Sequence, residues 1–173
     1  GLISFEKGDF ERAATEFNLV LAGDPDNDRA RYYLGATYVE MKADDKALES
    51  FERVSEKSEL FLDSRLQVAY LYDRKEQTQK AIEVLQGVLK KGNDRKEIYA
   101  FLSSLYRKTK EYPKAIQAME RVVSLDPKND EAHFQLGALY DENKNKEKSV
   151  ANMKKAIELN PKNAAALNYL GYT

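Results

Sequence analysis

One spacing constrains this chain more than any other. Starting from Gly137-Ala138-Leu139-Tyr140, steps of 34 residues back reach Ser103-Ser104-Leu105-Tyr106, Ala69-Tyr70-Leu71-Tyr72, Gly35-Ala36-Thr37-Tyr38 and Gly1-Leu2-Ile3-Ser4. A second set keeps the same step: Ala13, Ala47, Ala81, Ala115 and Ser149; Phe17, Phe51, Leu85, Met119 and Met153; Val20, Val54, Val88, Val122 and Ala156. A fixed period of this size is the mark of a stacked repeat. Within one period the apolar residues recur with helical spacing. Leu136, Gly137, Leu139 and Tyr140 form one stripe, and Val150, Met153, Ala156 and Ile157 form a second. Asn143 to Asn145 separates the two, and Asn160-Pro161 stops the second. Neither helix alone can bury its stripe, so each period is expected to fold as a helical hairpin that stacks on its neighbours.

The pattern resembles the tetratricopeptide repeat. Leu34-Gly35, Tyr38, Ala47, Phe51 and Val54 carry the resemblance in one copy, and Leu136-Gly137, Tyr140, Met153, Ala156 and Pro161 carry it in another. Pro25, Pro127 and Pro161 hold the closing position, but Glu59 and Asn93 replace it in two copies. The family's bulky aromatic early in helix A is here Arg31, Arg65, Tyr99, His133 and Leu167. The resemblance implies an all-α, right-handed solenoid of antiparallel helix pairs, each with a helix A and a helix B. It divides the chain into a partial repeat at 1–27, repeats at 28–61, 62–95, 96–129 and 130–163, and the start of another at 164–173. The chain thus reads as a fragment of a longer array, with fraying or end-to-end contacts expected at 1–8 and 164–173.

Local punctuation fits this division. Gly8-Asp9 is a turn, and helix B of the first copy carries Ala13, Phe17, Val20 and Leu21 inward. Asp26, Asn27 and Asp28 supply cap oxygens for the next helix. The exit Lys57 to Leu62 lacks Gly and Pro, which would let the following helix start early, near Ser58 or Glu59. Pro113 falls in a first helical turn, where a missing N–H costs nothing.

Chemistry is sparse. There is no Cys and one His, His133, which occupies a packing position and is read as a half-buried packing residue. No phosphate-binding glycine motif and no nucleophile elbow occurs. Asp24, Asp26 and Asp28 lack the glycine and glutamate of a calcium loop and read as a capping loop. Lys144, Lys146, Lys148, Lys154 and Lys155 read as a solvated face. With 28 basic against 29 acidic residues, the chain is not the strongly basic kind that nucleic acid attracts. No signal peptide and no apolar run long enough for a membrane helix is visible. No enzyme activity, cofactor or metal is expected, and the sequence does not indicate a compartment.

The resemblance also implies which residues meet a partner, because in this family helix A lines the concave groove. Carried onto this chain, these are Tyr32, Tyr33 and Ala36; Leu66, Gln67 and Tyr70; Phe101 and Ser104; Phe134, Gln135 and Ala138; and Tyr169, with Tyr172 continuing the stripe. The rings form either an exposed anchor surface or the filling of a tight superhelix. A carboxylate clamp is absent: its positions read Tyr32, Ala36, Gln67, Glu97 and Phe101 in one register and Leu66, Tyr70, Phe101, Glu131 and Gln135 in the next. The expected function is a non-catalytic scaffold that binds a peptide or helical segment through apolar anchors. A segment spanning three rows would meet Tyr70, Phe101 and Phe134, with Phe101 central. The alternatives are a regulatory or substrate-docking region of a larger enzyme, and a self-assembling module.

Charge is unevenly spread. Residues 1–63 hold 8 basic and 15 acidic side chains, and residues 64–173 hold 20 and 14. Association between copies through their ends is therefore expected to weaken as salt rises, since exposed charges are screened beyond roughly 10 Å at 0.1 M. Light scattering across a salt series checks this, and association indifferent to salt contradicts it.

Overall fold

The computed structural model describes residues 1–171, and Tyr172 lies outside them. Among the described residues the chain is entirely helical outside its turns and loops. It forms two compact units, Gly1–Asn93 and Asp94–Thr173. The first holds α1 (Leu2–Glu6), α2 (Phe10–Gly23), α3 (Asp28–Glu40), α4 (Asp44–Glu52), α5 (Phe61–Arg74) and α6 (Thr78–Lys90). The second holds α7 (Lys96–Lys108), α8 (Tyr112–Leu125), α9 (Asp130–Glu142), α10 (Lys146–Leu159) and α11 (Ala164–Gly171). In each unit every helix packs on its neighbours in sequence.

The core sits at one recurrent contact. Ala13, Ala47, Ala81, Ala115 and Ser149 are fully buried on the B helices. Facing them on the A helices are Gly35, Ala69, Ser103 and Gly137. A Cβ on Gly35 would lie 2.9 Å from the Phe51 ring, and one on Gly137 would lie 3.0 Å from Met153 Cε and 3.1 Å from the Ser149 carbonyl. Glycine faces Phe51 and Met153, alanine accompanies Leu85 and serine accompanies Met119, so the largest ring goes with the smallest neighbour. Ser103 hides its hydroxyl by donating to the Ala115 carbonyl at 2.8 Å.

Each A–B turn is closed in one way. Gly8, Lys42, Glu76, Lys110 and Lys144 all have positive φ, between 58° and 76°. The amide after each reaches back to helix A: Ala43 N–H to the Tyr38 carbonyl, Gln77 to Tyr72, Glu111 to Tyr106 and Asn145 to Tyr140, all at 2.8 Å. The left-handed residue's own amide bonds one turn further along, as Lys42 does to Val39 at 3.0 Å. This is the paired closure of a Schellman motif, which normally prefers glycine. At the other end, Asn27, Asn129 and Asn163 each accept the amide three residues on, at 2.9, 2.9 and 3.0 Å. The acidic residues beside Asn27 have other work. Asp24 accepts from the Asn27 amide and Asp28 accepts the Ser55 N–H.

The tyrosines that end the A helices bury much of their rings and present the hydroxyl at a polar edge. Tyr72 donates to Glu52 at 2.8 Å, and Tyr140 donates to Glu120. Burial and that carboxylate push the Tyr140 phenol up to about 12. A lysine lies over each ring: Lys46 over Tyr38, Lys80 over Tyr72, Lys114 over Tyr106 and Lys148 over Tyr140, at 5.1–5.5 Å from the centroid. These lysines share the 34-residue step and bind the outer end of helix B to the ring by a cation–π contact.

Two local expectations need correction. Val20 is not inward: it is 44% exposed, against 3% for Val54. α1 is five residues long where the other A helices of this unit run 13 or 14, so less helix is present to cover α2. Leu21 packs against the core around Ala13 and Phe17 and is half-buried, as Leu89, Val123 and Ile157 are at the same register. The helix after Lys57 does not start early; residues 55–60 form successive turns and α5 begins at Phe61. α4 instead stops early, at Glu52. Its end is capped from α5 by Arg65, whose Nη2 donates to the Phe51 and Glu52 carbonyls at 3.1 and 2.7 Å. That contact takes the place of the missing glycine and proline.

Two other residues in the aromatic position act alike. Arg31 Nη2 donates to the Pro25 carbonyl, and His133 Nε2 lies 3.2 Å from the Pro127 carbonyl. His133 also meets Asn152 Oδ1 at 3.3 Å and is buried, so it is a packing residue more deeply set than expected. A polar side chain at this position captures a carbonyl that the preceding helix B or its exit loop leaves open.

The close approach can be tested directly. Gly35→Ala forces the Phe51 ring to move and is expected to cost about 1–3 kcal/mol as overpacking. Combined with Phe51→Leu, it should cost less than the sum of the two single changes by at least about 1 kcal/mol. Urea denaturation of the four proteins checks this, and strict additivity refutes the size pairing. At the turn, Lys110→Gly removes the left-handed penalty but loosens the unfolded chain, for a net gain of about 0.5–1 kcal/mol. Lys110→Val should lower stability in the same assay.

Candidate functional site

The sequence places its candidate residues on the A helices, and the structure separates them into two groups. In the first unit, Tyr33 stacks on Phe17, with centroids 6.0 Å apart and planes at 15°, and its edge meets Phe5. Tyr32 turns its edge to Phe51 at 5.4 Å, and Ala36 packs on the same cluster around Ala47 and Val68. Burial raises the Tyr32 phenol, and Asp63 adds to the effect. These rings fill space between helices. Leu66 and Gln67 are half-buried. Tyr70 differs: it is 49% exposed and carries the Arg74 guanidinium 5.7 Å above its ring. Arg74 is in turn held by both oxygens of Asp44.

In the second unit, Phe134, Ala138 and Tyr169 pack against Met153, Ala156 and Ala166. The Tyr169 hydroxyl is tied down. It donates to Asp141 Oδ1 at 2.7 Å and accepts from Ser149 Oγ at 2.9 Å and Lys146 Nζ at 3.1 Å. Tyr169 therefore works as a joint between α9, α10 and α11. Phe101 is half-buried, and Ser104 and Gln135 are exposed.

Three of the candidates meet in one cavity of about 480 Å³ between α7 and α9. α7 contributes Ala100, Ser103, Ser104 and Arg107. α9 contributes Glu131, Phe134, Gln135 and Leu139. Met119 of α8 completes the lining. Phe134, Leu139, Met119 and Ala100 give it an apolar body, and Ser104 and Gln135 give it polar groups. Its charged groups are already engaged. Arg107 Nε reaches the Glu142 carboxylate oxygens at 2.9 and 3.0 Å, and Gln135 Nε2 donates to Glu131 Oε1 at 3.0 Å. The hydrogen bond that Arg107 donates to Glu142 raises the Arg107 pKa, so the guanidinium stays charged and engaged.

Sequence reasoning found Phe134, Ser104 and Gln135. It missed Met119 and Ser103, which were assigned to packing alone; they line the cavity because Ser104 and Ala100 are small and leave the inter-helix seam open. Phe101 is not among the residues lining this cavity. Nothing in the cavity pairs a nucleophile with a base, and His133 lies elsewhere, against Pro127 and Asn152. Among the described residues no cluster of three or more His, Cys, Asp or Glu could hold a metal, and no helix is long and apolar enough to cross a membrane.

Comparison with known proteins gives the fold a family. Family models described as tetratricopeptide or TPR repeats match residues 4–67, 104–144 and 130–163. A search of curated proteins returned no significant match. Among solved structures, a crystal structure of MamA is 26% identical, with a TM-score of 0.77 over 93% of this chain and 94% of that one. MamA from Desulfovibrio magneticus RS-1 is 18% identical, with a TM-score of 0.76 over 94% and 92%. YrrB, described as a TPR protein with an unusual peptide-binding site, is 22% identical, with a TM-score of 0.76 over 98% and 87%. The 34-residue register, the small-to-large packing of each helix pair and three family matches along the chain agree: this is an all-α solenoid protein of the tetratricopeptide repeat family.

Proposed function

We propose that this chain is a non-catalytic scaffold for protein–protein interaction, and that the cavity between α7 and α9 receives an apolar side chain of a peptide or helical segment. The fold is one that serves protein interaction in general. The cavity supports the finer reading: an apolar body walled by Phe134 and floored by Met119, with Ser104 and Gln135 at hand for a peptide backbone. A cavity of this size that is mostly apolar with a few polar groups suits one or two anchor side chains. Arg107 and Glu131 are already engaged with neighbours, so a charged terminus is a poor occupant. YrrB shares the fold, and its peptide-binding site is in keeping with this reading.

Peptides selected against the whole chain from a random displayed library supply the ligand for a test by calorimetry. Phe134→Ala is expected to weaken binding by at least about 2 kcal/mol, whereas Arg107→Ala should cost less than about 1 kcal/mol. Because Phe134 also packs on Met153, Ser104→Tyr provides a second variant; it fills the cavity from an exposed position and should block binding with the fold intact. Selected peptides that need Arg107 and ignore both other changes would mean that the ligand is anionic and the reading is wrong.

A further inference from the structure

The opposite side of α3 carries a second cavity, of about 420 Å³, between α2 and α4. α3 supplies its floor with Arg31, Leu34 and Tyr38. α2 and its exit loop form one wall, with Asn18, Leu21, Ala22 and Pro25. α4 and its end form the other, with Lys46, Glu49, Ser50 and Arg53. Arg31 is 8% exposed. Its Nη2 donates to the Pro25 carbonyl, but its Nε has no hydrogen-bond partner. A buried guanidinium with an unmet donor and no carboxylate against it is costly.

One repeat further on, the equivalent arginine also has an unpaired Nε, but its groove answers the charge with carboxylates. There Arg65 stands for Arg31, and the lining includes Glu52, Glu56, Glu83 and Lys91. Glu52 and Glu56 replace Asn18 and Ala22, 34 residues on, and Gly87 replaces Arg53. The second groove thus sets two cations against three carboxylates, with Lys91 paired to Glu56. Burial lowers the Arg65 pKa, and Glu52 and Glu56 oppose that fall from within the fold. The first groove sets Arg31, Lys46 and Arg53 against Glu49 alone. Arg53 lies 3.7 Å from Glu49 with both side chains largely exposed, and Lys46 lies over the Tyr38 ring. Glu49 is thus paired with Arg53 and leaves the other cations without a carboxylate in the groove.

We infer that the α2–α4 groove is a carboxylate-binding site on the B-helix side of the array, taking an acidic side chain of a partner protein. The carboxylate neutralises the excess charge of Arg31, Lys46 and Arg53, as Glu52 and Glu56 do one repeat on. Leu21, Ala22 and Leu34 offer apolar surface to the residues that flank it, which favours a side chain on a segment over a free anion. This goes beyond the proposed cavity between α7 and α9 and shares no residue with it.

Arginine side-chain NMR on the whole chain tests the inference. The probes are a blocked leucine–glutamate–leucine peptide, its leucine–glutamine–leucine counterpart and inorganic phosphate, with the Arg31 Nε–H resonance as readout. The glutamate peptide should shift that resonance saturably, at a concentration at least about tenfold below the glutamine peptide or phosphate, as a charge-assisted contact requires. Lys46→Gln combined with Arg53→Gln should weaken the response about tenfold or more. Asn18→Glu, which installs the carboxylate found at Glu52, should abolish it even if the double variant proves unstable. No saturable shift, equal binding of the glutamine peptide, tighter binding of phosphate, or a response untouched by Asn18→Glu overturns the inference.

Discussion

Everything in this protein depends on how closely helix A can approach helix B. The approach is set by a side chain that is absent at Gly35 and Gly137 and minimal at Ala47, Ala81 and Ala115. With no Cβ at Gly35, the Phe51 ring lies on the helix backbone and becomes the pin of the pair. Interiors pack at near-crystalline density, so the pair has little freedom to adjust in size. The copies with Leu85 and Met119 carry Ala69 and Ser103, whereas Met153 keeps a glycine, Gly137. The contact recurs because each repeat must solve the same problem without a globular core to draw on.

Once the pair is close, its ends must be closed and the next pair attached. The turn at Lys42, Glu76, Lys110 and Lys144 is left-handed although none of these is glycine. The paired backbone bonds to helix A impose that conformation. A lysine four residues later then lies over the tyrosine that ends helix A, so the turn, the ring and the start of helix B form one joint. At the opposite end, Arg31, Arg65 and His133 hold carbonyls from the preceding repeat. The family's aromatic residue would fill this position with apolar surface. Here the position is polar and makes a directed bond, which also explains how α4 ends without glycine or proline.

The period made the fold legible. It located the helices, the buried alanines, the phenylalanine-type pins and the tyrosines, because these residues face the same environment in every copy. What it did not reveal is whatever differs between copies. Val20 shares its register with Val54, but α1 is too short to cover it. Tyr32, Tyr33 and Tyr169 read as groove residues, yet each spends its ring or hydroxyl on a neighbouring helix. Phe134 serves both purposes at once. The carbonyl-capping role of Arg31 and Arg65 was hidden because a charged residue in an aromatic position reads as a defect until its partner is seen. Cavities were hidden for a simpler reason: they depend on the sizes of residues such as Ala100 and Ser104 that come together only when two repeats stack.

That division bears on where specificity can reside. Residues on the 34-step are constrained by packing, so a change there is felt as stability and cannot easily be used to choose a partner. Residues off the step are free to differ, and they set the character of both kinds of groove: Ala100 and Ser104 in one, Asn18, Ala22 and Arg53 in the other. Between successive A helices of the second unit, small residues open an apolar cavity and the nearby charged groups are engaged. Between successive B helices of the first unit, the groove around Arg31 holds cations that the equivalent groove around Arg65 balances with its own glutamates. The two surfaces call for different chemistry, one apolar and one anionic. The contact of Gly35 with Phe51 lies between the helices and lines neither surface, whereas Ser103 and Met119, its counterparts in the second unit, belong to the apolar cavity itself.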